Sequence, residues 1–266
     1  MKKLAVIGKD VSKSLSPEIH NFISRHTGNK LKYDKVSIPE NEFADIAEKL
    51  FKEYDGFNVT IPYKLSIIPY LKKIEGDGKI FGAVNTVRVA DMSGHNTDGL
   101  GFMLMLKNNG VEVNGKNILL LGAGGAGRSV AKKLADGWAN VFVYDTNYES
   151  AKRLESEFSG VKSLNAIDCK PYYAIINATG IGMHASEGKS PVGGDLVSLC
   201  EVAVDLIYTP KKSEFLRIAE NCGKRIINGE AMLYYQAYNA QSIFFEKSAD
   251  EAEAKHLFNK FSEEVL

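Results

Sequence analysis

Short apolar runs alternate with amphipathic stretches along the whole chain, a pattern that predicts strands alternating with helices. Strands are predicted at residues 4–8, 33–38, 57–61, 83–89, 117–121, 141–144, 174–177 and 202–207. Helices are predicted after Ser16-Pro17, near residues 42–51, after Gly127, and from Glu230 onward with a break near residues 248–250. This alternation is typical of an α/β fold with largely parallel sheets.

The length and composition fit two folded domains. The chain has 266 residues, of which 44% are hydrophobic and 25% are charged. The balance of 33 basic and 33 acidic residues argues against a nucleic-acid-binding protein. No apolar stretch approaches the ~20 residues of a membrane span, and the run at residues 4–7 is too short for a signal peptide. The three cysteines and five histidines match no metal-site spacing, which favours a cytoplasmic protein without a structural metal.

A glycine-rich turn follows the fifth predicted strand. Gly122, Gly124 and Gly127 have the GxGxxG spacing, in which the glycines permit a tight turn, a close approach to a pyrophosphate, and close helix–strand packing. The helix that follows would present free N–H groups to the phosphates. The motif, completed by Gly125 and Ala126, predicts a dinucleotide site. The alternative is a glycine-rich turn that binds nothing.

Asp145 ends the next predicted strand, about 20 residues beyond the first glycine of the motif. An acid at this place accepts hydrogen bonds from the adenosine ribose, which favours NAD and would repel the 2′-phosphate of NADP. The alternative is an Asx turn at the strand end.

Two domains are predicted from these patterns. A Rossmann dinucleotide-binding domain is expected at residues 100–232, around the glycine-rich turn. Residues 1–99 are expected to form a second α/β domain that binds the substrate and carries the catalytic residues. The C-terminal helices, at residues 233–266, are expected to return and pack on this first domain.

Five polar clusters suit the recognition of a small polyhydroxy acid. They lie at residues 14–17, 58–64, 82–86 and 96–99 and at Gln236. Serine hydroxyls can hold a carboxylate without adding charge, and amide side chains can bridge ring hydroxyls as donor and acceptor. A lysine and an aspartate can handle a proton.

Each of these residues also has a purely structural explanation. Ser16 can cap a helix, and Asn58 and Asn85 can satisfy backbone groups at strand ends. Lys64 can be a solvated surface lysine, and Asp98 can be the N-cap of the helix that follows it. Residue spacing alone excludes none of these alternatives.

Taken in order, the clusters resemble the motifs of the shikimate dehydrogenase family. The similarity runs from Ser12 to Gln236 and comprises S-L-S-P, N-V-T-I-P-Y-K, G-A-V-N-T, N-T-D-G-L-G, G-A-G-G-A-G-R and G-E-A-M-L-Y-Y-Q. An ordered set over nearly the whole chain is more specific than any single motif. The resemblance implies two α/β domains that flank a cleft.

The resemblance also implies site residues. Lys64 and Asp98 would form the catalytic pair. The substrate would be held by Ser14 and Ser16 at its carboxylate, by Thr60, Asn85 and Gln236 at its ring hydroxyls, with Asn58 in support, and by Tyr208 facing it. Cofactor contacts beyond the glycine-rich turn and Asp145 would come from Asn177, Thr179 and Gly229.

The sequence departs from the family pattern after the second dinucleotide strand. The family often has N-R-T-x-x-[KR]-A there, with basic residues that grip a 2′-phosphate, whereas this chain has D-T-N-Y-E-S-A from Asp145 to Ala151. NADP is the cofactor that the family resemblance implies by default. The acid and the missing basic residues favour NAD in this chain.

The function implied by the resemblance is the reversible NAD(P)H-dependent reduction of 3-dehydroshikimate to shikimate, in chorismate and aromatic amino acid biosynthesis, by a monomer or homodimer. One alternative is an NAD-linked quinate or quinate/shikimate dehydrogenase, although Ser14 and Ser16 match the shikimate type better. Another is a non-catalytic ligand-sensing protein of the same fold. Keeping both Lys64 and Asp98 argues against a sensor.

Overall fold

The computed structural model describes residues 1–265, which form two compact units. The first unit comprises Met1–Gly101 together with the segment that begins at Tyr234, and the second comprises Phe102–Leu233. The boundaries between the units therefore lie between residues 101 and 102 and between residues 233 and 234. The sequence predicted domain boundaries one or two residues earlier, at 99–100 and 232–233.

The first unit contains a six-stranded sheet and the helices that cover it. Its strands are β1 (Lys2–Gly8), β2 (Leu31–Ser37), β3 (Gly56–Val59), β4 (Lys73–Ile74), β5 (Thr86–Arg88) and β6 (Ser93–His95). Its helices are α1 (Ser16–Thr27), α2 (Phe43–Glu53), α3 (Asp77–Phe81) and α10 (Glu251–Glu264), and the helices α4 (Asp98–Asn108) and α9 (Glu230–Phe245) contain the two unit boundaries. Short 3₁₀ turns lie at Glu40–Glu42 and Ile68–Tyr70.

The second unit also contains six strands. They are β7 (Asn117–Leu121), β8 (Asn140–Tyr144), β9 (Val161–Leu164), β10 (Tyr172–Asn177), β11 (Cys200–Asp205) and β12 (Arg225–Ile227). The helices are α5 (Gly125–Asp136), α6 (Tyr148–Glu157), α7 (Gly194–Val197) and α8 (Glu214–Asn221), with a 3₁₀ turn at His184–Ser186.

The sheet of the second unit is parallel throughout, in the order β12-β11-β10-β7-β8-β9. This is the doubly wound order of a Rossmann fold, in which the strand order reverses between the two central strands and ligands bind beyond their carboxyl ends. The residues from Ile118 to Leu121 are all buried, as expected for a strand covered by helices on both faces. The predicted α/β class and Rossmann domain are confirmed.

The sheet of the first unit is mixed, in the order β2-β1-β3-β5-β6-β4. Its parallel part matches the expectation, but β5 runs antiparallel to both β3 and β6. β5 is antiparallel to β6 because the short turn between them, in which Met92 N donates to Val89 O at 3.0 Å, permits only a hairpin. The predicted strand at residues 83–89 is reduced to β5, since Val84 N donates to Lys64 O in a loop instead of to a strand.

The C-terminal helices pack on the first unit, as predicted. Phe261 of α10 meets Phe22 of α1 edge-on, with ring centroids 5.2 Å apart, and both side chains are buried. This contact places α10 against the helix that carries Ser16. No helix in residues 1–265 has the length and apolar character needed to cross a membrane.

His20 is a fully buried imidazole in α1, stacked on the ring of Tyr33 at 4.4 Å between centroids. Burial lowers the pKa of His20 to about 3, against the opposing effect of the Asn58 side chain. The ordinary value is about 6.5, so between these two values the unfolded chain binds a proton that the folded chain does not. Stability due to His20 is therefore complete above pH ~6.5 and is lost as the pH falls towards 3.

We expect the free energy of unfolding to fall by up to about 1.4 kcal/mol per pH unit over this window because of His20. His20→Phe keeps an aromatic ring but cannot titrate, so its unfolding free energy should depend less steeply on pH. Urea denaturation at several pH values between 4 and 7 measures both slopes. His256→Gln, which removes an exposed imidazole from α10, is the control and should keep the wild-type slope. An unchanged slope in His20→Phe contradicts this account.

Candidate functional site

Lys64 and Asp98 form a partly buried ion pair in the first unit. Lys64 Nζ lies 2.5 Å from Asp98 Oδ2, and the two side chains are 21% and 10% exposed. The loop after β3 carries Lys64, and Asp98 is the first residue of α4. The alternative of a solvated surface lysine is therefore excluded. Asp98 begins its helix but directs its carboxylate to Lys64, where an ammonium and a carboxylate can share a proton.

Asn85 joins this pair to the rest of the site. Its Nδ2 donates to Asp98 Oδ1 at 2.7 Å and to Thr97 Oγ1 at 3.0 Å, while its Oδ1 accepts from Thr97 N and Thr86 Oγ1, both at 2.9 Å. The side chain is 3% exposed. Since every donor of this buried amide is used, Asn85 fixes the carboxylate of Asp98 in one orientation.

Asn58 lies beside this network and is itself held by internal contacts. Its Oδ1 accepts from Tyr33 Oη at 2.6 Å, and its Nδ2 donates to Asn85 O at 3.1 Å and to Thr86 Oγ1 at 3.0 Å. Asn58 therefore does satisfy a backbone group, the carbonyl of Asn85, as the structural alternative expected. Burial raises the pKa of Tyr33 well above its ordinary value, so this hydroxyl remains a donor.

Ser14 and Ser16 lie together just before and at the start of α1. Ser14 Oγ accepts from Ser16 N at 3.2 Å and lies 3.1 Å from Ser16 Oγ. The residue at the N-cap position is Leu15, and no side chain caps this helix, so Ser16 is not a capping residue. Two adjacent hydroxyls beside the first turn of a helix can hold an anion such as a carboxylate.

The remaining substrate-side predictions fall on both units. Thr60 follows β3 and is half-buried, and its N donates to Ile7 O at the end of β1. Gln236 lies in α9, where its Oε1 is 3.5 Å from Thr97 Oγ1, within the first unit. Tyr208 belongs to the second unit, in the loop after β11, and burial raises its pKa.

The glycine-rich turn connects β7 to α5. A Cβ at Gly127 would lie 2.1 Å from Gly122 O, so the third glycine is required for the helix to approach the strand. Gly122 has a φ of 98°, a backbone conformation that residues with a side chain rarely adopt. A Cβ at Gly124 or Gly125 would meet nothing within 4 Å, which leaves open space beside the first turn of α5. Ala126 lies in that turn, so the set of residues fits a bound pyrophosphate.

Asp145 lies between the glycine-rich turn and the loop after β8. Its Oδ2 accepts from Ala123 N at 2.7 Å, and its Oδ1 accepts from Asn147 N at 2.8 Å. The Asx turn considered as an alternative is therefore present. Each carboxylate oxygen has a further lone pair, so this turn is compatible with a hydrogen bond to a ribose hydroxyl.

The other predicted cofactor residues lie at the carboxyl ends of β10 and β12. Thr179 follows Asn177 in the loop after β10, and a Cβ at Gly122 would lie 3.0 Å from Thr179 Cγ2. Gly229 N donates to Ile207 O at 3.0 Å. These residues share the edge of the sheet at which a Rossmann fold binds its ligand.

Several residues of the network were missed by the sequence analysis. Thr97 and Asn96 stood within a recognised polar cluster without an assigned role, yet Asn96 Oδ1 accepts from Asp98 N at 3.0 Å. Tyr33 was seen only as the start of a strand, and its contact with Asn58 depends on the parallel pairing of β1 with β2 and β3. No local signal in the sequence indicates that contact.

The Rossmann sheet, the glycine-rich turn and the buried lysine–aspartate pair define a class of two-unit α/β proteins with a dinucleotide fold. The family model described as "Shikimate dehydrogenase substrate binding domain" matches residues 6–87, and that of "Shikimate / quinate 5-dehydrogenase" matches residues 104–194. The chain is 37% identical to a "Shikimate dehydrogenase (NADP(+))" of Carboxydothermus hydrogenoformans, over 92% of this chain and 91% of the relative. The chain belongs to the shikimate dehydrogenase family.

Solved structures agree with this assignment. A shikimate 5-dehydrogenase of Thermus thermophilus, in complex with NADP(H) and shikimate, is similar with a TM-score of 0.87 and 30% identity, covering 98% of this chain and 99% of the other. A shikimate 5-dehydrogenase of Listeria monocytogenes, in complex with shikimate and NAD, has a TM-score of 0.82 and 27% identity, covering 97% and 96%.

Gly127→Ala should destabilise the protein, because its methyl group would overlap Gly122 O in a turn that cannot move away. We expect the free energy of unfolding to fall by about 1–3 kcal/mol. Gly125→Ala is the matched control, since its methyl group enters open space at the start of a helix and should cost nothing or stabilise by up to ~1 kcal/mol. Urea denaturation of both variants tests this. Equal stabilities would show that the close approach is not required.

Proposed function

We propose that this protein catalyses the reversible NAD(P)H-dependent reduction of 3-dehydroshikimate to shikimate, a step in aromatic amino acid biosynthesis. The observation that carries the proposal is the partly buried Lys64–Asp98 pair, oriented by Asn85, in the unit that matches the family's substrate-binding domain. Relatives named for this reaction align with nearly the whole chain. The monomeric or homodimeric state and the cytoplasmic location stay predictions of the sequence.

The chain's own residues have to place the ketone and deliver one proton. Asp98 accepts one N–H of the Lys64 ammonium, which leaves other N–H groups for the ketone oxygen of the substrate. A nicotinamide dinucleotide supplies the hydride when bound. As negative charge develops on the carbonyl oxygen, Lys64 donates a proton to it, and in the oxidation of shikimate Lys64 accepts that proton. Asp98 orients Lys64 throughout.

The hydroxyl-bearing residues around this pair suit the rest of the substrate. Ser14 and Ser16 hold the carboxylate, which they can do as neutral donors. Thr60 and Gln236 bind ring hydroxyls. Asn85 takes part by exchanging its bond to Thr97 Oγ1 for one to a ring hydroxyl, since its donors are otherwise used.

The second unit holds the dinucleotide. The N–H groups at the start of α5, beside Gly124 and Gly125, bind the pyrophosphate. Asp145 accepts a hydrogen bond from the adenosine ribose and favours NAD over NADP. The contacts of Arg128, the basic residue of the glycine-rich motif, support this preference. Its guanidinium is already engaged within the protein, since it pairs with Glu157 and lies 4.9 Å from the ring centroid of Phe158.

Lys64→Ala should lower kcat for shikimate oxidation by about 10²–10⁴-fold, because a positioned acid–base group is lost. Dinucleotide affinity should stay near that of the wild type, since the second unit is unchanged. Steady-state absorbance of reduced nicotinamide and calorimetry measure the two quantities. Lys79→Ala, at an exposed lysine of α3, is the control. Near-normal turnover in Lys64→Ala would refute the assignment of Lys64, and faster turnover of quinate than of shikimate by the wild type would make quinate the substrate.

We expect a higher kcat/KM with NAD than with NADP in the wild type, because Asp145 repels a 2′-phosphate. Asp145→Ser should lower the ratio of kcat/KM with NAD to kcat/KM with NADP by roughly tenfold, equivalent to about 1.4 kcal/mol. Asp168→Asn, at an exposed acid of the same unit, should leave the ratio unchanged. A wild type that strongly prefers NADP would keep the proposed reaction and overturn the role of Asp145.

A further inference from the structure

Two buried polar residues end adjacent strands of the second unit. Asn177 is the last residue of β10 and Asp205 the last of β11, and they lie opposite each other in the register of the parallel pair. Both are 0% exposed. Asn177 Nδ2 donates to Asp205 Oδ1 at 3.0 Å. No role was assigned to Asp205 by the sequence analysis.

The amide of Asn177 is fully used by hydrogen bonds within the protein. Besides its bond to Asp205, its Nδ2 donates to Ile181 O at 3.1 Å. Its Oδ1 accepts from Thr179 N at 3.0 Å and from Thr179 Oγ1 at 2.6 Å. Two donors and two acceptor positions are the full inventory of an amide side chain. The Asn177 side chain therefore holds the loop that carries Thr179.

Asp205 holds a second loop with the same carboxylate. Its Oδ1 also accepts from Ile207 N at 3.0 Å, and its Oδ2 accepts from Ser213 Oγ at 2.5 Å. Burial raises the pKa of this carboxyl, while the bonds from Ser213, Ile207 and Asn177 oppose that rise. Burying an ionised carboxylate costs desolvation free energy, and the hydrogen bonds from these three donors offset that cost.

The residue that Asp205 holds, Ile207, in turn contacts a third segment, which carries Gly229. Ile207 O accepts from Gly229 N at 3.0 Å, and a Cβ at Gly229 would lie 2.1 Å from Leu206 O. The position of Gly229 therefore depends on the backbone that Asp205 fixes. Tyr208 follows directly in the same loop.

We propose that Asp205 is a positioning residue for dinucleotide binding, because one carboxylate fixes the segments that carry Thr179, Tyr208 and Gly229. It touches no ligand itself and acts through Asn177 and Ile207 N. The inference rests on the proposed function, since it takes those segments as the side of the site nearest the nicotinamide. It adds to that function a residue, Asp205, on which the arrangement of these three segments depends.

Three substitutions separate positioning from stability. Asp205→Ala removes all three acceptor contacts. Asp205→Asn keeps an acceptor for Asn177 and Ile207 N and turns an N–H group towards the Ser213 hydroxyl, which can accept it. Ser213→Ala is the matched control, because it destabilises the same carboxylate and the N-terminus of α8 but leaves the bonds to both loops in place.

The first readout is the affinity of each variant for NADH and NADPH, measured by calorimetry without substrate. We expect Asp205→Ala to weaken binding by roughly tenfold or more, as for a loss of about one well-placed hydrogen bond. Asp205→Asn and Ser213→Ala should bind within about twofold of the wild type. In steady state, KM for the dinucleotide should rise in Asp205→Ala and stay within about twofold of the wild-type value in Ser213→Ala.

The second readout uses the ligand-free protein. Amide hydrogen exchange by NMR should become at least about tenfold faster at Thr179, Ile181 and Ile207 in Asp205→Ala, and not in Ser213→Ala. If Asp205→Ala does not fold, Asp205→Ser replaces it, because the shorter hydroxyl can still accept from Ile207 N but does not reach Asn177. Exchange should then rise at Thr179 and Ile181 alone, with weaker dinucleotide binding.

The outcomes are distinguishable. Equal dinucleotide affinity in wild type, Asp205→Ala and Asp205→Ser, despite lower stability, overturns the inference and leaves Asp205 a structural residue. Equal losses in Ser213→Ala and Asp205→Ala overturn it too, since general destabilisation then explains both. A wild type that binds dinucleotide but turns over no shikimate defeats the proposed reaction alone, and the affinity series still decides the role of Asp205. A wild type that binds neither dinucleotide defeats both.

Discussion

Buried polar groups at the ends of strands have to find hydrogen-bond partners inside the protein, and both units depend on this constraint. Leaving one such group unpaired costs about 1–3 kcal/mol, a large part of the stability of a domain. Asn85 meets the requirement by holding Asp98 and Thr97, and Asn177 meets it by holding Thr179 and Asp205. Because each loop has few arrangements that satisfy these amides, the side chains around them are fixed before any ligand binds.

The parts that the sequence predicts well are those set by local sterics and burial. The third glycine of the GxGxxG spacing is required where the helix packs this closely on the strand before it, since a Cβ at Gly127 would lie 2.1 Å from Gly122 O. The apolar runs at residues 4–8 and 117–121 are equally direct, because central parallel strands are covered on both faces. Such features depend on residues that are close in the chain.

The parts that escape prediction depend on residues that are distant in sequence. β5 and β6 have three residues each, too few to show a period, so their antiparallel pairing leaves no local signal. Tyr33 meets Asn58 only because their strands flank β1. Family resemblance identified Asn58, Asn85 and Asn177 as site residues, but only the structure shows the internal hydrogen bonds that hold each of these amides.

The same reasoning explains how a family can vary its cofactor at the end of β8. The structural need there is an acceptor for the N–H two residues on, and the Asp145 carboxylate meets it with Asn147 N. An asparagine, which stands first in the family's N-R-T pattern, can form the same Asx turn. The fold therefore does not select between the two residues, although one is an anion and the other is neutral. Since the turn forms with either residue, the two differ in their charge towards a 2′-phosphate, and this difference is the basis of the NAD preference proposed for this chain.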